Sequence, residues 1–213
     1  MKKIIDLKDL LKHEILDLYS AEEQIIESLP DMIEKANDPK LKEALSNHLE
    51  VSKTHKDRLD KIKETIMSGD DAGESNGFFS SLFGGSNTVT SKGIEGLIKE
   101  AGKMMSEDMT PETMDAAIIG IAQKIEHYEI AGYGTVRAYA SELKLDFVKT
   151  ELEKTLREEY DADDSLTKLA VGQVNPDAEN AINDENADDG DYDRLTNSVS
   201  IMSSSDSAED DEG

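Results

Sequence analysis

The sequence predicts an all-α fold, a bundle of four long helices whose two halves are joined by a long crossover carrying a short extra helix. Three observations predict it. Apolar residues recur at three- and four-residue spacing over four long stretches. Asp38-Pro39 and Thr110-Pro111 supply a capping side chain followed by a proline, the pattern that opens a helix. Residues 68–91 lose the periodicity and are crowded with Gly, Ser and Asp.

The first helix runs from about Asp6 to Lys35, with Leu7, Leu11, Leu18, Ile25 and Leu29 on one stripe. Asn37, Asp38 and Pro39 stop it and start the second, which continues to about Met67 through Leu41, Leu45, Leu59, Ile62 and Ile66. So short a loop makes these two helices antiparallel neighbours. The crossover, residues 68–91, reads as a flexible loop whose FFSSLF centre is an apolar anchor on the bundle or, less favoured, a partner-binding patch. Ile94, Leu97, Ile98 and Ala101 predict a short helix over 92–105. Thr110 then caps a long helix from Pro111 to Leu143, and a last helix spans about Asp146 to Val171. Two hairpins joined by one long connection are the ferritin-like variant of the four-helix bundle. Residues 1–173 form that domain. Residues 174–213 hold 13 acidic residues and one Arg with hardly an aromatic, and read as a disordered acidic tail with a solvating role or a protein partner.

Charge narrows the function. The 213 residues carry a formal charge of -25, and the first 173 remain strongly acidic without the tail. That excludes nucleic acid and anionic membrane as main partners, because phosphate binding needs a basic stripe, and makes cations the natural ligands. Without a cysteine the chain has no disulfide, thiolate nucleophile or Cys-ligated metal site. Charges at Asp6, Lys8, Asp9, Lys12 and Glu14 interrupt any signal-like apolar run at the N-terminus, so a soluble cytoplasmic protein is expected. Phosphate loops, dinucleotide fingerprints and nucleophile motifs are absent.

Several carboxylates fall where apolar residues belong. Counting about 100° per residue places Glu22 in the stripe Leu18, Ile25, Leu29. Glu126 and Glu129 share a face with Ala122, Tyr133 and Val136, one turn apart. Glu159 and Asp163 stand in the stripe Leu152, Leu156, Leu166, Ala170. In the second helix the stripe turns His48, Ser52 and His55 inward, with Glu50 off its centre, so His48, His55 and Glu50 are all candidates. Buried carboxylates meeting in one bundle repel each other and take up protons unless a cation neutralises them. A di-metal centre does so, and oxygen-rich donors with one or two imidazoles suit iron or manganese better than zinc. For any single Glu the alternative is a salt bridge to Arg58, Arg137 or Arg157. Tyr19, Tyr128 and Tyr133 are placed to hydrogen-bond the carboxylates, and Gly132 and Gly134 to let a helix approach closely.

Five motifs in order, DLYSAEEQIIESLP (17–30), LSNHLEVSKTHKDRLDKI (45–62), KGIEGLIKEA (92–101), DAAIIGIAQKIEHYEIAGYGT (115–135) and LEKTLREEYDADDSLTKLA (152–170), resemble the YciE/YciF family of ferritin-like proteins. The resemblance covers residues 4–175 and implies a dimeric helical bundle with a di-iron site, associated with bacterial stress response. It implies metal ligation by Glu22, the cluster around His48 and Glu50, Glu126, Glu129, and Glu159 with Asp163. None of the four His residues has the Glu-x-x-His spacing usual in such sites, which leaves a carboxylate-dominated or single-metal centre open. The expected function is a metal-binding stress protein with peroxide- or oxygen-linked redox activity. A helical interaction or structural protein without metal is the alternative. Iron storage is weaker, since it needs a hollow shell of many subunits.

Overall fold

A computed structural model describes residues 4–68 and 89–185. Four long helices form the bundle: α1 (Leu7–Lys35), α2 (Pro39–Ser68), α4 (Pro111–Glu142) and α5 (Asp146–Leu169). The short α3 (Lys92–Met104) lies against α1 and α4. A π-helical turn (Ala170–Val174) leads from α5 into α6 (Asn175–Glu185), which packs on α4. Around the bundle the seams are α1 with α2, α2 with α5, α5 with α4, and α4 with α1. The two hairpins are therefore joined across a diagonal, as the long crossover requires.

Local chemistry sets the helix starts. Asp6 accepts the Asp9 N–H at 2.8 Å, and Thr110 accepts the Thr113 N–H at 3.2 Å ahead of Pro111. Asp38 Oδ1 accepts the N–H groups of Lys40 and Leu41 at 2.8 and 2.9 Å, capping α2. Its own loop is clamped from the other hairpin. The buried Asp115 accepts the N–H of Asn37 at 2.6 Å and of Asp38 at 2.8 Å, satisfying donors that the helix end leaves free. Between α4 and α5, Lys144 turns the chain with φ of 59°, in the left-handed region.

One departure from expectation concerns the C-terminal part. The chain does not leave the bundle near Val171 but stays helical to Glu185. Val174 is buried and Gln173 bridges Asp38 and Lys40, so this segment is anchored despite its acidity. The FFSSLF stretch and residues beyond 185 lie outside the described residues. No described helix is long and apolar enough to cross a membrane.

The core is split. One apolar cluster, around Ile25, Leu29, Met32, Leu45 and Ile118, fills the end near the α1–α2 loop. A second, around Leu11, Ile15, Leu18, Leu59, Ile62 and Val136, fills the opposite end. Each such side chain contributes about 1.5–3 kcal/mol on burial. The residues between the clusters along the four helices are Glu22, Ser52, His55, Glu126, Glu129 and Glu159, all buried and all polar.

Candidate metal centre

Each long helix delivers its share of this polar layer from within its apolar stripe. Glu22 comes from α1, His48 and His55 from α2, Glu126 and Glu129 from α4, and Glu159 from α5. A close approach between helices makes this possible. A Cβ on Gly132 would sit 2.8 Å from Leu18 Cδ2, so any larger residue there would push that buried side chain aside where α4 meets α1. Gly134 has open space instead and plays no such part.

The donors fall into two groups with one member in common. His48, Glu126, Glu129 and Glu159 bring ligand atoms within 4.8 Å of one another, as do Glu22, His55 and Glu159. In the second group His55 Nδ1 lies 2.9 Å from Glu159 Oε1 and 3.3 Å from Glu22 Oε1, yet it makes no hydrogen bond. In the first, His48 Nε2 is 3.4 Å from Glu126 Oε1. Among the described residues, the buried side-chain atoms without a hydrogen-bond partner are Glu22 Oε2, His55 Nδ1, Glu126 Oε2 and both oxygens of Glu129 and Glu159, with Arg137 Nε the one exception outside the layer. Orphaned buried donors and acceptors each cost about 1–3 kcal/mol. Concentrated at one point and aimed at one another, they fit bound cations: four carboxylates and two imidazoles match the charge and the oxygen-rich donor preference of two hard or borderline divalent ions.

Electrostatics agree. Burial, then the neighbouring charges of Glu159, Glu22 and Glu126, holds Glu129 well above the usual carboxylate range. Burial followed by Glu126 and Glu22 does the same to Glu159, and burial raises Glu126. The protein without cations therefore keeps protons in this layer that a metal would displace. Burial alone would lower His55, but the nearby carboxylates of Glu22, Glu129 and Glu158 raise it.

A supporting shell fixes the donors. His55 Nε2 meets Glu158 Oε2 at 2.9 Å, and Arg58 donates to both oxygens of that carboxylate through Nη1 and Nη2. This leaves Nδ1 to face the layer, the arrangement by which a carboxylate orients a metal-binding imidazole. Paired to Arg58 and His55, Glu158 falls below its usual range although burial opposes this. Tyr133, fully buried, donates to Glu22 Oε1 at 2.5 Å. The other tyrosines serve elsewhere: Tyr128 donates to Asp17 at 2.6 Å, and Tyr19 stacks under Lys63. Of the arginines considered as counter-charges, Arg58 is committed to Glu158 and Arg157 to Glu153.

Five of the expected ligands, Glu22, His48, Glu126, Glu129 and Glu159, are brought together. Two are not. Glu50 points to solvent, 71% exposed, and pairs with Lys53, because its position is turned off the apolar stripe. Asp163, one turn beyond Glu159, has its carboxylate at the bundle surface with Gln123 and His127. His55 takes Glu50's place among the donors. Arg58 is a salt-bridge partner, as the sequence allowed, but of Glu158, which was not among the expected residues because the pairing crosses from α5 to α2.

A family model described as a domain of unknown function, DUF892, matches residues 6–179. Protein YciF of Escherichia coli is 35% identical over 174 residues, 82% of this chain and 96% of its own. The chain belongs to the YciE/YciF family. The crystal structure of the E. coli stress protein YciF superposes with a TM-score of 0.67 at 32% identity, over 81% of this chain and 99% of that one. YcfI of Rhodopseudomonas palustris gives 0.67 at 37% identity, over 78% and 96%. These neighbours share the helical bundle and so bear out the fold expected of a YciE/YciF member.

Proposed function

We propose that this chain is a ferritin-like di-metal protein of bacterial stress response, binding iron or manganese and performing peroxide- or oxygen-linked redox chemistry. One observation carries the reading: two donor groups from four helices meet at Glu159, with their oxygens and His55 Nδ1 left without hydrogen bonds. Kinship to a stress protein supports the physiological setting. Bound iron or manganese would supply Lewis acidity and a change of oxidation state. The chain's own residues do the rest. Glu158 and Arg58 hold the His55 ring, Tyr133 holds Glu22, and the apolar clusters close the layer at its two ends along the bundle. The family resemblance adds a homodimer and the cytoplasm to this proposal, and size-exclusion chromatography with light scattering tests the first.

The deciding experiment is elemental analysis of the purified protein beside a chelator-treated control. About two iron or manganese ions per chain are expected. Protein that is metal-free and cannot be reloaded would overturn the reading in favour of a structural or interaction protein.

A further inference from the structure

A cavity of about 280 Å³ lies between the four long helices, directly beside one donor group of the metal centre. His48 and Glu126, two members of that donor group, are part of its lining. Ile25, Leu29, Met32, Leu45, Ile125 and Leu166 supply apolar walls. Its mouth is at the α2–α5 seam, where the exposed Asn47, Asp161 and Ser165 line it. A layer meant only for peroxide or oxygen needs no apolar space of this size, whereas pockets of this volume suit small organic molecules.

Charge says which kind. Lysine and arginine are absent from the lining, while Glu126, Glu158 and Asp161 are all present. In the metal-free chain an entering anion would meet these acidic groups with no lysine or arginine in the lining, and Arg58 is already committed to Glu158, in a setting where unpaired charge is costly. Glu126, which contributes to the lining, also belongs to the adjoining donor group, and its Oε2 is buried without a hydrogen-bond partner.

We propose that this cavity is the organic-substrate pocket of the metal centre and that it takes a small uncharged apolar molecule, of one or two rings, rather than an anion. The assignment as a substrate pocket rests on the metal-binding reading; the pocket's preference for a neutral molecule does not, and can be measured without metal.

The test is titration of the full chain, chelator-stripped and metal-loaded, with 2-naphthol and with 2-naphthoate, which share a ring system and differ in charge. Saturable binding of one naphthol per chain is expected, with naphthoate weaker by about tenfold or more. In protein with ¹³C-methyl methionine, the Met32 methyl resonance should shift on naphthol binding, because Met32 lines the wall. Ala162→Phe and Ala44→Phe each place a ring inside the cavity from opposite sides of its mouth and should weaken naphthol about tenfold, with metal content unchanged. Equal affinity for both probes, or an unshifted Met32 resonance at saturation, would overturn the proposal even if neither variant folds. Naphthol affinity that falls as protein concentration rises would also overturn it, since a second copy would then cover the mouth. Naphthol binding by a chain that holds no metal would sustain the neutral-molecule preference and remove only the metal-centre reading.

Discussion

The two apolar clusters and the polar layer between them occupy the same four helices, yet they obey opposite rules. Leu156 and Glu159 are one turn apart on one face of α5, and both are buried. Leu156 gains from leaving water. Glu159 loses its hydration, gains no hydrogen bond, and stands close to other carboxylates that raise its protonation. The apolar ends explain why the bundle folds; the layer is explained only by what it can hold. The separation of labour is physical, because a fold can carry such a layer only if its ends supply surplus stability.

That contrast can be broken most sharply at the layer. Glu126→Ala combined with Glu159→Ala should abolish metal binding in elemental analysis while circular dichroism shows helix content nearly intact. Wild-type stoichiometry in that double variant would refute the donor set. Next in size, Leu59→Ala in the apolar end should cost about 2–5 kcal/mol in denaturant unfolding, with metal or without it. Glu129→Leu should do the reverse in stripped protein, stabilising it by about 1–4 kcal/mol while eliminating metal binding, since it replaces an unpaired buried carboxylate with a packed side chain.

The pH profile is a subtler test. Glu126, Glu129 and Glu159 sit above their ordinary 4.5 in the folded, metal-free state, so that state binds more protons than the unfolded chain and loses stability as pH rises from about 4.5. His55, raised above 6.5, contributes stability that is complete below 6.5 and disappears as pH climbs through its folded value. Glu158 opposes only at low pH, since its lowered value means its contribution is lost below 4.5. Stripped protein should therefore melt at a lower temperature at pH 8 than at pH 5.5. Metal-loaded protein should show the opposite slope, because loading releases those protons.

Much of this was legible in the sequence. The stripe positions of Glu22, Glu126, Glu129 and Glu159 placed them inside, and their burial follows. Asp38-Pro39 and Thr110-Pro111 located two helix starts to the residue. What failed has local causes. Glu50 was carried by its nearness in sequence to His48, but one helical step of two residues turns it away to solvent. Asp163 shares the stripe with Glu159 yet lies beyond the level at which the helices converge, a longitudinal position that periodicity does not encode. The Glu158–Arg58–His55 chain needs the α2–α5 register, which is tertiary. For α6 a weak signal existed: Val174, Ala178 and Ala181 recur at helical spacing within the acidic run, and net charge outweighed it in the reading.

Three of the six donors, Glu22, His48 and His55, come from the α1–α2 hairpin, and three, Glu126, Glu129 and Glu159, from the α4–α5 hairpin, and each group draws on both. Neither hairpin alone can assemble either group. A cation held there works as a rivet between two pieces whose covalent connection is long, so its departure loosens the seam between hairpins before it loosens either hairpin. Hydrogen exchange at that seam would then read metal occupancy as directly as a spectrum does.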